Sequence, residues 1–202
     1  MPDVLACLET LLTKRQTFLP KRLHAPGPDT VQLHQILAAA AHAPDHDQIL
    51  PWRFIIIPDA MRATLGTAFA QALLERDATA SPEQVEQARE KAFRSPLLML
   101  LVVDAQRGDP AVDMAERLVS AGCAVQNMLL MATGMGFGSS LTSGKALKAT
   151  GLRQLFGLQL QDQAICFINM GTVERSKPPR VRPRPGDYVC QLSGVGTITG
   201  YA

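Results

Sequence analysis

Two of the chain's four histidines and its only tryptophan fall within one short stretch, His42-Ala43-Pro44-Asp45-His46-Asp47-Gln48-Ile49-Leu50-Pro51-Trp52-Arg53-Phe54. His42 and His46 are four residues apart, the spacing that on a helix lets two imidazoles share one zinc ion. Pro44 stands between them, so they cannot share a helical face, and no carboxylate with a third ligand accompanies them. No metal site is expected. The two rings remain either polar ligands to a small molecule or loop residues satisfied by backbone groups. Trp52, at the head of an apolar run, reads as a core anchor.

Other residues could hold an anion or a nucleophile. Lys14-Arg15 closes a short amphipathic segment. The pair could be solvated cations that suit a helix C-terminus, or could grip a phosphate with one planar fork and one point charge. Gly134-Met135-Gly136-Phe137-Gly138 has the glycines of a dinucleotide fingerprint. That fingerprint needs a strand before it and a helix after it, and here a long helical pattern comes first. A glycine-rich helix end is the plainer reading. Ser143, in TSGK, lacks the glycine setting of a nucleophile elbow. Arg180, Arg182 and Arg184 alternate with Pro and Val in an extended arm that could meet a partner subunit, a nucleotide phosphate or water.

The elements that must position these residues follow from periodicity. Pro2 and Asp3 start a helix through Leu5, Leu8 and Leu12 that ends near Lys14-Arg15. Asp29 or Thr30 caps a second, running to about Ala41 and stopped by Pro44. Arg53–Ile57 reads as a strand closed by Pro58, and a helix follows from about Asp59 to Arg76. Ser81-Pro82-Glu83-Gln84 opens another helix, which ends before Pro96. Leu97–Val103 is a continuous apolar run, the pattern of a strand buried on both faces. From about Val112 to Met135 the pattern is helical and apolar on more than one face, as befits a helix central to a domain or an interface. Short helices near Lys145–Thr150 and Leu152–Phe156 precede a strand over Ala164–Met170. The expected fold is one α+β domain with few strands and many helices.

Composition narrows the function classes. A chain of 202 residues, 47% hydrophobic and 19% charged, suits one globular domain. A net charge of +2 gives no nucleic-acid footprint. Apolar runs are too short for a membrane span, and the N-terminus lacks a signal-peptide pattern, so a cytoplasmic protein is expected. Cys7, Cys123, Cys166 and Cys190 sit among apolar neighbours without metal-ligand spacing and read as buried free thiols.

Taken in order, Ala43–Phe54, Phe93–Val103 (FRSPLLMLLVV), Ser120–Gly144 (SAGCAVQNMLLMATGMGFGSSLTSG) and Ile168–Pro185 (INMGTVERSKPPRVRPRP) resemble the nitroreductase family of flavin enzymes. The resemblance is to its short, single-domain branch of NAD(P)H nitroreductases, and it spans most of the chain. It implies a three-layer α+β sandwich, with a small mixed or antiparallel sheet flanked by helices, in an intertwined homodimer with FMN at the subunit interface. The long apolar helix would form the dimer core. The C-terminal arm, from about residue 174, would pack on the partner subunit.

The resemblance also assigns residues. Lys14, Arg15 and Gln16 stand where the branch has Arg-Arg-Ser against the flavin phosphate and ribityl chain. His42 stands for an Arg and His46 keeps the His of the APDH motif. Leu141, Thr142 and Ser143 stand for Trp-Arg-Ser after the glycine turn. Lys14, His42 and Thr142 therefore each replace an Arg, Leu50 replaces a Gln, and weaker FMN binding is expected. The implied activity is ping-pong hydride transfer from NAD(P)H through the flavin to a nitroaromatic, quinone or similar acceptor, with no catalytic side chain required. The alternative is a non-catalytic dimer, a ligand-binding or regulatory protein with a decayed flavin site.

Overall fold

The computed structural model describes residues 3–175, 178 and 180–200. Pro2, expected at the first helix start, lies outside them.

The architecture is built around β2 (Leu97–Asp104). Its odd positions, Leu97, Met99, Leu101 and Val103, pack with Ile36, Ala124, Val125 and Met128 of α2 (Thr30–Ala40) and α5 (Met114–Gly134). Its even positions, Leu98, Leu100 and Val102, pack with Leu65, Phe69 and Leu152 of α3 (Asp59–Arg76) and α6 (Thr150–Leu155). All seven residues from Leu97 to Val103 are buried. A strand covered on both faces must read as a continuous apolar run, as this one does. The result is a helix–sheet–helix sandwich. Its four-stranded sheet has the order β1-β2-β4-β3, with β1 Trp52–Ile56, β3 Gly138–Thr142 and β4 Asp162–Gly171. Every ladder in it is antiparallel, and one parallel bridge, Thr17 to Ser139, adds the chain just past α1 (Val4–Lys14) to its edge.

Local signals account for the helix starts. Asp29 and Ser81 each form a reciprocal cap, with Gln32 and Gln84, at the heads of α2 and α4 (Pro82–Glu90). Asp3 accepts from the Leu5 amide at the head of α1. Trp52 is buried, and its indole N–H donates to Ser120 Oγ on α5 at 3.0 Å, as expected of a core anchor.

β3 differs from the sequence reading, which takes Gly134–Gly138 as a glycine-rich helix end and assigns no strand to Gly138–Thr142. Its Gly-Ser-Ser start has little strand propensity, and pairing with β4 imposes the strand. Gly138 is required there because a Cβ would collide with Val173, Leu23 and Phe18. A further hairpin, β5 (Cys190–Gly194) with β6 (Thr197–Gly200), also went unread. The cysteines differ too: Cys166 alone is buried, its thiol pushed up to about 11 by burial, while Cys123 is half-buried and Cys7 and Cys190 are exposed. Cys7 sits on α1, a helix with no buried residue.

At the far end of the sheet Arg53 donates two bonds, 2.9 and 2.7 Å, to the buried Asp162 carboxylate, which also accepts from the Gln159 amide. Burial pushes this carboxyl up, but those hydrogen bonds outweigh it and hold it below the usual range. A depressed native value stabilises the fold above the unfolded pKa of about 3.9, and that stability is lost as pH falls through the native value. Asp162→Asn is expected to cost about 1–3 kcal/mol at pH 7 and less at pH 3, read by urea unfolding at both pH values.

Candidate functional site

The chain leaving α1 is tied to the sheet edge. Phe18 N–H donates to Ser139 O, so Arg15 and Gln16 lie beside β3. Arg15 is half-buried, and its backbone carbonyl accepts from the Arg182 guanidinium at 3.3 Å. Burial, and then the Arg182 charge, push the Arg15 pKa down. Among the described residues no carboxylate lies within 4 Å of either guanidinium. Two cations held together without a counter-charge form a place for an anion. Lys14 is exposed in the last turn of α1.

A cavity of about 650 Å³ opens between β3, β4, α3 and α4, and the chain past Arg15 reaches its wall at Leu19. Leu19 and Pro20 form one wall, and Thr142 and Ser143 another. Its floor is apolar and includes Phe69 and Phe167, which meet edge to face at 5.4 Å. Arg76, Lys91, Arg94 and Lys145 also line it, without any carboxylate. None of the four cations has a carboxylate within 4 Å among the described residues. The field in such a cleft favours anionic ligands. Leu141 follows the strand alternation to the other sheet face, opposite Ile168 of the α5-side core.

The histidines lie elsewhere. His46 Nδ1 is 2.8 Å from Glu116 Oε2, near the head of α5. His42, just past α2, is exposed. Between His46 and β1 the backbone is strained: Asp47, Gln48 and Leu50 have φ of 49°, 53° and 48°, in the left-handed region that non-glycine residues rarely adopt. Two contacts brace this loop. Asp45 accepts from the Leu50 amide. Gly108 packs against Ile49, where a Cβ would sit 2.5 Å from the Ile49 Cβ. The Gly108 loop is in turn held by buried Arg117, which donates to the carbonyls of Asp104, Arg107, Asp109 and Val112.

The predicted site residues thus divide between the ends of α5. His46 meets Glu116 in its first turn, whereas α1 approaches its last residue, with Leu11 3.5 Å from where a Gly134 Cβ would lie. At 1.5 Å per residue these contacts are about 27 Å apart along the helix. Within one chain Thr142 and Ser143 line the cavity, Arg15 and Gln16 lie on the segment that leads to its Leu19–Pro20 wall, and His46 lies by the head of α5. The sequence reading missed Asn169, an amide on the cavity wall whose signal was one polar residue inside the apolar strand ICFINM. The lining cations gave no signal, because they come from three separate segments: Arg76, Lys91 with Arg94, and Lys145.

Residues 21–172 match the model of the nitroreductase family, described as "Nitroreductase family". The chain is 35% identical over 163 residues to a protein of Haemophilus influenzae named "Putative NAD(P)H nitroreductase", covering 81% of this chain and 86% of that protein. The chain belongs to the nitroreductase family, a family of oxidoreductases. Among solved structures, a nitroreductase-like family protein from Bacillus cereus superposes with a TM-score of 0.79 at 15% identity, covering 93% of this chain and 96% of that one. Oxidised iodotyrosine deiodinase bound to FMN and 3-iodo-L-tyrosine superposes with a TM-score of 0.65 at 20% identity, over 88% and 95% of the two chains. These two likenesses show the shared fold.

The Glu116 hydrogen bond, and then the charge of Asp47, raise the His46 pKa. Glu116→Gln is expected to lower it. An NMR titration of the imidazole reads this directly, and an unchanged midpoint would mean the contact does not persist in solution.

Proposed function

We propose that the chain is an FMN-dependent NAD(P)H oxidoreductase of nitroreductase type that works as a homodimer. The observation that carries this is the Arg15–Arg182 pair, two guanidiniums with no carboxylate within 4 Å among the described residues, on a chain that runs on to the Leu19–Pro20 wall of a cavity with an apolar floor. The cavity volume lies within the range of cofactor sites. A flavin mononucleotide has the matching parts, a dianionic phosphate and a flat, mostly apolar ring. Arg15 and Arg182, with Lys14 and Gln16, would hold the phosphate and ribityl chain. Thr142 and Ser143 would meet the polar edge of the ring.

FMN held there would supply the redox chemistry, hydride transfer from NAD(P)H to a nitroaromatic, quinone or similar acceptor. The chain's residues bind, orient and exclude water. The lining cations attract the anionic cofactor and donor. The names of the Haemophilus relative and of the FMN-bound neighbour support the donor and the cofactor.

The dimer follows from what one chain leaves uncovered. Leu118, Val119 and Met131 of α5 are exposed, and nothing lies within 4 Å of a Cβ built on Gly122. Leu5, Leu8 and Leu12 form an exposed stripe on α1, which packs beside α5. Apolar helices of this kind suit an obligate interface. A two-fold axis that sets α5 antiparallel to the partner's α5 brings the histidine end of one chain to the Arg15 end of the other. His42 and His46 would then complete the partner's site rather than that of their own chain's Arg15–Arg182 pair. The domain spans the whole chain, and its arm, from about residue 174, reaches the partner. Leu192 and Ile198, paired across β5–β6, form the exposed apolar face for that contact.

Val119→Arg is expected to give monomers by sedimentation and to weaken FMN binding at least tenfold, because each site loses its second half. For the unaltered protein, saturating FMN raises the thermal midpoint, and flavin absorbance survives desalting. A stable dimer that retains no flavin after loading would instead favour a non-catalytic ligand-binding protein.

A further inference from the structure

We infer that Asn169 is a positioning residue that aims the Thr142 hydroxyl proton into the cavity, so that Thr142 meets the flavin as a neutral, directed donor. This rests on the flavin reading above.

Asn169 lies on β4 at 2% exposure, and its amide bridges three strands. Oδ1 accepts from Ser95 Oγ, just before β2, at 3.0 Å. Nδ2 is 3.4 Å from Ser140 O and 3.1 Å from Thr142 Oγ1, both on β3. The Ser140 carbonyl can only accept, so it is the amide nitrogen, not the oxygen, that faces β3. Thr142 Oγ1 must therefore accept from Asn169. Its own proton has to point away from the amide, and among the described residues it meets no protein acceptor. Thr142 and Asn169 both line the cavity, so that proton is available to a ligand.

The resemblance sets an Arg at position 142. A guanidinium there would donate through several N–H groups and bring a full charge. Thr142 brings no charge and a single proton, and its direction depends on the group behind it. A freely rotating hydroxyl could equally accept from the ligand or donate to water. The Asn169 amide narrows that freedom: it fills one of the two acceptor positions of the hydroxyl and turns its proton away from β4. Asn169 and Ser95, whose single proton is shared between Asn169 Oδ1 and Leu97 O, are buried, where an unmade hydrogen bond is costly. Asn169 therefore acts on the ligand only through Thr142.

The test is a double-mutant cycle on FMN affinity, read by quenching of flavin fluorescence, with Thr142→Val, Asn169→Leu and the double variant. Each single change is expected to weaken FMN binding about threefold to tenfold, the effect of one lost neutral hydrogen bond. The double variant is expected to bind no more weakly than Thr142→Val alone, because the amide has nothing left to aim. Thr142→Ser keeps the donor and is expected to bind like the unaltered protein. Circular dichroism without FMN checks that each variant folds. If Asn169→Leu does not fold, Asn169→Asp replaces it in the cycle. A general charge effect of the new carboxylate would then appear equally in the Thr142→Val background, and only the excess seen with Thr142 present counts. Multiplying losses in the double variant, or an unchanged affinity for Asn169→Leu, would overturn the inference and leave the flavin reading standing. No FMN binding by the unaltered protein would remove both.

Discussion

A strand buried on both faces has no solvent side to relax toward. Leu97–Val103 therefore fixes which way each neighbour faces. A register slip of one residue would exchange its two side-chain sets and unmake both cores together. β4 inherits the same constraint: Ile168 and Met170 turn to the α5 side, while Phe167 and Asn169 turn to the cavity side. β3 takes its register from β4, so Thr142 faces the cavity and Leu141 does not. The polar wall of the candidate site is thus a by-product of how β2 is enclosed.

That dependence explains what could be read from sequence. Leu97–Val103 was legible because double burial demands an unbroken apolar run. The helix beginning at Pro82 was legible because Ser81 and Gln84 satisfy each other's amides within a few residues. β3 was not legible, since Gly138-Ser139-Ser140 has no strand preference of its own and only its partner makes it a strand. The β5–β6 hairpin is local, with only Val195 and Gly196 between its strands, and it was hidden because its glycines weaken the strand signal. Cys7 and Cys190 misled because apolar neighbours along the chain do not imply a covered surface in space.

The site was legible in parts. Of the residues the resemblance assigned, Thr142 and Ser143 line the cavity, while Arg15 and Gln16 lie on the segment before its Leu19–Pro20 wall, ahead of the family match, which begins at residue 21. Of the three arm arginines, which sequence could not separate, Arg182 reaches back to Arg15. The cavity cations could not be read at all, because Arg76, Lys91, Arg94 and Lys145 converge only after α3, α4 and the loop past β3 have packed. Leu141 occupies a matching position in sequence but faces the opposite side of the sheet.

The length of α5 carries a consequence of its own. In the proposed dimer the helix would act as a ruler, with one half of a binding site at each end, and the paired copy would read the same ruler in reverse. Removing a single helical turn would then shift the two halves against each other by about 5.4 Å. Sharing of that kind would also mean that a chain defective only at Arg15 and a chain defective only at His46 could rescue each other. Mixed in one assembly, they would leave one site with both faults and one with none. Selection would then act on the pair of chains as a unit, and a damaged copy could persist in the company of a differently damaged one.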